Sequence, residues 1–107
     1  MNQWEIWLAY VKFFDRPDEE KIRPVLIINE EVCFVLAYNI TSHKPRNNFF
    51  GEYDIIRWKE SGLEKPSTVR LSSISKIKKE KFIRKIGKLN KLDMEKIVEI
   101  LELYGKL

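Results

Sequence analysis

Two apolar runs separated by two residues constrain this chain more than any other feature. Residues 21–29 read Lys-Ile-Arg-Pro-Val-Leu-Ile-Ile-Asn and residues 32–40 read Val-Cys-Phe-Val-Leu-Ala-Tyr-Asn-Ile, with only Glu30 and Glu31 between them. Runs this rich in β-branched and aromatic residues, joined by so short a link, predict a tight β-hairpin. Pro24 cannot donate to a ladder, so it belongs at the first residue of a strand or on an edge. It also drives Arg23 towards an extended backbone. If the runs pair, Ile40-Thr41-Ser42-His43 returns beside the start of the first run. Arg23 and Thr41 then become neighbours at one rim of a sheet.

Residues 4–11 read as a further strand, with Trp4, Ile6, Leu8 and Tyr10 on one face and Trp7, Ala9 and Val11 on the other. Two apolar faces place such a strand in the middle of a sheet or at a subunit interface. Residues 12–22 read as a polar loop, long enough to be a binding loop, and residues 41–51 are a second loop by composition. Residues 53–56 predict a short strand, and residues 57–61 a helical turn stopped by Gly62. Residues 65–67 predict a turn and 68–71 a strand, followed by strands at 73–77 and 82–87 around a lysine-rich turn. Asn90 suits an N-cap with Asp93 as the N3 acid, a variant capping box. Met94, Ile97, Leu101 and Tyr104 then recur at helical spacing. The sum is a small, mostly antiparallel barrel closed by a C-terminal helix, a single domain over residues 1–107.

At 107 residues the core is modest, a size that favours a partner. No apolar run reaches the length of a membrane span, and Glu5 interrupts the amino-terminal stretch that a signal peptide would need. Cys33 is the only cysteine, so no disulfide framework exists; it reads as a buried small residue, and the compartment as the cytoplasm. The net charge of +4 conceals an asymmetry. Acidic residues outnumber basic ones up to Glu64, whereas residues 65–91 carry a block of lysines and arginines against Glu80 alone. That block is either a phosphate-binding surface or a set of solubilising and edge-guarding lysines.

The Arg23–Thr41 corner suits phosphate chemistry. A guanidinium is always charged and presents a fork matched to phosphate oxygens, and a threonine hydroxyl can donate to the same group. Cleavage of RNA by its own 2′-hydroxyl asks the protein only to stabilise charge at phosphorus and to manage protons. Cysteine–histidine metal spacing and a phosphate-cradling glycine loop are both missing, so no cofactor or metal is expected. His43 is either a proton-transfer group, its pKa lowered by Lys44 and Arg46, or an exposed loop histidine. Glu52 and Asp54 read as solvated carboxylates rather than a metal site. Phe13, Phe14, Phe49 and Phe50 either stack bases or fill the barrel ends or a dimer interface.

Glu5-Ile6-Trp7-Leu8-Ala9, Arg23-Pro24-Val25-Leu26-Ile27 and Ile40-Thr41-Ser42, in that order, resemble the PemK/MazF toxins of bacterial type II toxin–antitoxin pairs. Gly62-Leu63, Ser67-Thr68-Val69-Arg70-Leu71 and Lys85-Ile86-Gly87-Lys88-Leu89 continue the likeness over nearly the whole chain. The resemblance implies an SH3-like barrel, a homodimer and a cognate antitoxin. It also implies a metal-independent endoribonuclease, an mRNA interferase that cuts single-stranded RNA to a 2′,3′-cyclic phosphate. It assigns catalysis to Arg23 and Thr41; Lys21, Ser42, His43, Lys44 and Arg46, around the same corner, are candidates for RNA binding by their own position and chemistry. Trp4 stands where the family usually has glycine before the acidic residue, and residues 12–22 lack the glycines often found in that loop. Two other classes stay open: a toxin fold acting on a protein such as gyrase, and a non-catalytic RNA-binding module.

Overall fold

Strands form where the apolar pattern alternates, and the C-terminal helix forms where its period lengthens to that of a helix. The computed structural model describes residues 1–12, 18–42 and 51–104. In chain order the elements are β1 (Glu5–Lys12), β2 (Glu20–Glu30), β3 (Phe34–Thr41), β4 (Glu52–Asp54) and β5 (Thr68–Lys78). A single 3-10 turn (Lys79–Lys81), β6 (Phe82–Lys88) and α1 (Lys91–Leu103) follow. The strands make one antiparallel sheet in the order β4-β5-β3-β2-β1-β6. No helix among the described residues is long and apolar enough to cross a membrane.

Successive residues of β2 alternate between two buried clusters. Leu26 joins Ile6, Ile40, Val69 and Leu89 under α1, where Ile97 and Leu101 seat the helix. Val25 and Ile27 join Ala9, Val11, Val35 and Ala37 on the other face, with Ile77 of β5. β1 lies between β2 and β6. Its two apolar faces are therefore occupied within the chain, Ile6 in one cluster and Ala9 with Val11 in the other. The sheet curls: β1 and β5 line a common cleft through Val11 and Ile77, although two strands separate them in the ladder.

Several expectations are corrected. The β2–β3 link is three residues, closed by the Glu31 N–H donating to the Phe34 carbonyl at 2.8 Å. Val32 is 88 % exposed. Cys33 is exposed rather than buried, because the turn absorbs the start of the second run. Pro24 lies inside β2 rather than at its first residue, since β2 pairs with β1 back to Lys12–Glu20. The predicted loop over 12–22 is correspondingly shorter. The strands predicted at 68–71 and 73–77 are one strand, β5. The sheet is not a closed barrel: β4 and β6 end the ladder order without pairing with each other.

Backbone contact joins those ends instead. Leu63 N–H donates to the Trp58 carbonyl and Gly62 N–H to the Lys59 carbonyl, both at 3.2 Å. This pair of hydrogen bonds ends a helical turn with Gly62 in the left-handed region at φ +92°. A Cβ on Gly62 would lie 2.0 Å from the Ile86 carbonyl oxygen, and one on Gly87 2.0 Å from that of Ser61. The turn after β4 thus rests directly on β6. Asp93 locks the same region. Asn90 caps α1 as expected, accepting from Leu92 N–H at 2.9 Å. Asp93, fully buried, does not close a capping box; it accepts from the Tyr53 hydroxyl at 2.5 Å and from the Ile56 and Arg57 amides at 2.9 Å. Burial, and then the bond to Asp93, raise the Tyr53 pKa, which keeps the phenol a donor.

Gly62→Ala should destabilise the fold by about 3 kcal/mol or more, combining backbone strain with a clash against fixed backbone. Urea unfolding measures it, and a loss below that of an ordinary surface substitution would refute the contact's role. Glu5 supplies a pH test. Hydrogen bonds from the Trp7 indole, then from the Asn2 amide, with Lys85 at 3.1 Å, hold its carboxyl at about 2 instead of 4.5. A depressed folded pKa stabilises above 4.5, and that contribution disappears as pH falls towards 2. Glu5→Gln should cost about 1–2 kcal/mol at neutral pH after allowance for solvent screening, with the two proteins converging in acid.

Candidate active site

β2 is paired on both sides only as far as Val25. Towards β3 the last partner pair among the described residues is Val25–Asn39. Pro24 follows at once along β2, and its ring nitrogen has no proton for a ladder. Towards β1 pairing continues through Leu8–Pro24 and Ala9–Arg23. β3 meanwhile stays with β5 through Ile40–Val69 and Thr41–Thr68. The sheet forks at the proline. Arg23 stands on one prong and Thr41 on the other, and extending the Val25–Asn39 register by two residues sets them opposite each other.

Both side chains line a cleft of about 320 Å³ together with Lys12, Asn39, Arg70 and Ser73. Arg70 Nε lies 3.7 Å from Glu52 Oε1, across the β4–β5 pair that these two residues form. Arg70 reaches this cleft because β5 bulges. Tyr38 faces Ile74 but Asn39 faces Arg70, so residues 71–73 of β5 have no partners on β3. Asn39 fills the irregularity with its amide, donating to the Ser73 hydroxyl at 2.8 Å and the Ser75 hydroxyl at 2.9 Å. Arg23 also lines a second cleft of about 420 Å³, on the α1 side of the fork, with Ser42, Lys65 and Arg84.

Of the candidates from the sequence, Arg23 and Thr41 are brought to one cleft. Ser42 is exposed in the other. Lys21 is exposed on β2 opposite Val11. His43, Lys44 and Arg46 lie outside the described residues, as do Phe13, Phe14, Phe49 and Phe50. The basic block divides. Lys79, Lys81 and Lys85 meet Glu30, Glu20 and Glu5, and Lys76 lies over the Phe34 ring. Lys65, Arg70 and Arg84 instead line the two clefts. Sequence reasoning did not single these out, nor Asn39, whose one signal is a polar side chain inside an apolar run.

Residues 2–104 match the family described as the PemK-like, MazF-like toxins of type II toxin–antitoxin systems. The chain belongs to this family. Among solved structures it is similar to the Mycobacterium tuberculosis toxin MazF-mt6, at 24% identity and TM-score 0.71 over 94% of this chain and 96% of that one. It is also similar to a mycobacterial endoribonuclease in complex with its cognate antitoxin, at 15% identity and TM-score 0.74 over 100% of this chain and 96% of that one. At these identities the likeness shows the fold. No curated protein gives a match.

Asn39→Ala removes the amide that spans the β5 bulge and should cost about 1–2 kcal/mol in urea unfolding. An unchanged midpoint would mean that the bulge holds its shape without the amide.

Proposed function

We propose that this chain is a metal-independent endoribonuclease that cuts single-stranded RNA and is neutralised by a cognate antitoxin. The observation that carries the reading is the fork at Pro24, which leaves Arg23 and Thr41 on facing prongs of a cationic cleft. A scissile phosphate lying between the prongs meets the Arg23 guanidinium and the Thr41 hydroxyl together. The substrate's 2′-hydroxyl attacks phosphorus and gives up its proton to a base. The bond to the 5′-oxygen breaks and that oxygen takes up a proton, leaving a 2′,3′-cyclic phosphate and a 5′-hydroxyl. Negative charge on the non-bridging oxygens grows on the way to the transition state, and a fixed guanidinium stabilises it most at that point. Lys12 and Arg70 add positive potential that attracts an anionic strand. The same potential suits an acidic antitoxin segment, which would block the cleft by covering it. Homodimerisation rests on the family resemblance, since the two faces of β1 are already occupied within the chain.

Arg23→Ala should lower single-turnover cleavage roughly 100- to 1000-fold without added metal, the scale for loss of one strong oxyanion donor. Arg23→Lys should recover little, because it keeps the charge and loses the fork. Thr41→Ala should cost less, and Thr41→Ser should retain much of the activity, since a neutral hydroxyl is the weaker donor. Full cleavage by the Arg23→Ala protein would remove the assignment. Sedimentation at micromolar concentration should show a dimer.

A further inference from the structure

Arg23 is shared by two clefts, and the proposed chemistry uses one. The other lies on the α1 side of the fork, where Lys65 from the turn before β5 and Arg84 from β6 converge over a floor that includes Leu8, Pro24 and Ile86. Among the described residues its one lining carboxylate is Glu64, against the three cations Arg23, Lys65 and Arg84. Lys65 and Arg84 are both exposed, and among the described residues neither has an ion-pair partner. Lys79, Lys81 and Lys85, from the same basic block, each face a carboxylate at 3.2, 2.9 and 3.1 Å.

Backbone packing brings the two cations together. Gly62 rests on Ile86 and Gly87, so the segment that leads into Lys65 is seated against the strand that carries Arg84. The backbone of the cleft is therefore set before any ligand arrives, and the ordering left to binding is that of the two long side chains. Its apolar floor offers packing surface to a ribose or base, while the rim offers charge to phosphate. A single strand carries one charge per nucleotide. A strand with its scissile phosphate at Arg23 must lay its neighbouring phosphates to either side of that residue.

We propose that the Lys65–Arg84 cleft is a phosphate subsite for nucleotides flanking the scissile bond, so that single-stranded RNA crosses the fork at Arg23 from one face of the sheet to the other. This rests on the reading of Arg23 as the cleavage residue. Phosphate contacts by Lys65 and Arg84 set affinity and register rather than the chemical step.

The test measures binding of a non-cleavable 2′-O-methyl oligonucleotide of mixed sequence across a salt series. Lys65→Gln and Arg84→Gln should each flatten the log–log salt slope by about 0.7, and together by about 1.4, the value for single-strand phosphate contacts. In cleavage assays the double variant should raise KM and leave kcat near that of the parent. Lys78→Ala with Lys79→Ala, at the far end of β5, should leave the slope unchanged. An unchanged slope in the Lys65→Gln, Arg84→Gln protein overturns the subsite. So does an unchanged RNA slope with weakened binding of a polyglutamate peptide, which would give the cleft to an acidic protein segment. Arg23→Ala, assayed for cleavage alongside, separates the two readings. Full activity there removes the catalytic assignment while the slopes still report on the cleft; lost activity with unaltered slopes removes the subsite alone.

Discussion

The arrangement at the site depends on a hydrogen bond that Pro24 cannot make. A residue with an N–H at this position could continue the β2–β3 ladder beyond Val25–Asn39. Arg23 and Thr41 would then become an ordinary cross-strand pair in a sealed sheet. The proline stops that pairing on one side while β1 goes on pairing with β2 past it on the other. It also narrows the backbone freedom of Arg23. One residue type thus opens the cleft and stiffens the strand that carries the guanidinium, which is what the proposed phosphate site would require.

A sheet curled this far must bring its ends together without a ladder between them, and three local devices do so. Gly62 and Gly87 allow backbone to touch backbone. Asp93 ties α1 to Tyr53 and to the amides of residues 56 and 57. Trp4 is the third. It has φ +75°, a conformation that disfavours side chains. Its N–H donates to the Ile27 carbonyl at 3.1 Å and its carbonyl accepts from Leu89 at 2.8 Å. These two bonds hold the turn in place whatever the residue. The backbone conformation therefore follows from the fold, and the tryptophan adds packing against the α1-side core in exchange for strain.

What could be read from the sequence was what periodicity and local chemistry encode. The hairpin, the two faces of β1, the Asn90 cap and the stop at Gly62 each rest on residues within a few positions of one another. The proximity of Arg23 and Thr41 followed from one pairing. The rest depends on distant partners. Asp93 has the spacing of a capping acid, but its donors come from β4 and the turn behind it, about forty residues away in the chain, so tertiary bonding overrides the local motif. Cys33 looked internal because the apolar run continues through it, yet the turn needs three residues and takes it. The bulge in β5 exists to serve Asn39 and Gly51, neither of them adjacent in sequence.

The charge asymmetry has the same origin. Glutamates of the first half meet cations of the second across the fold: Glu5 with Lys85, Glu20 with Lys81, Glu30 with Lys79 and Glu52 with Arg70. The cation of each pair is at the surface, and the pairs exposed on both sides, Glu20–Lys81 and Glu30–Lys79, add little stability one by one. Their larger effect is on the field. Away from the fork, each pair cancels a charge where it stands, at the hairpin turn or beside the β1–β6 pair. The cations at the fork escape that cancellation in unequal measure: Arg70 keeps a carboxylate at 3.7 Å, while Lys65 and Arg84 have none among the described residues. A net charge of only +4 can in this way present a concentrated positive potential at one place. That place is where the proline has already parted the sheet.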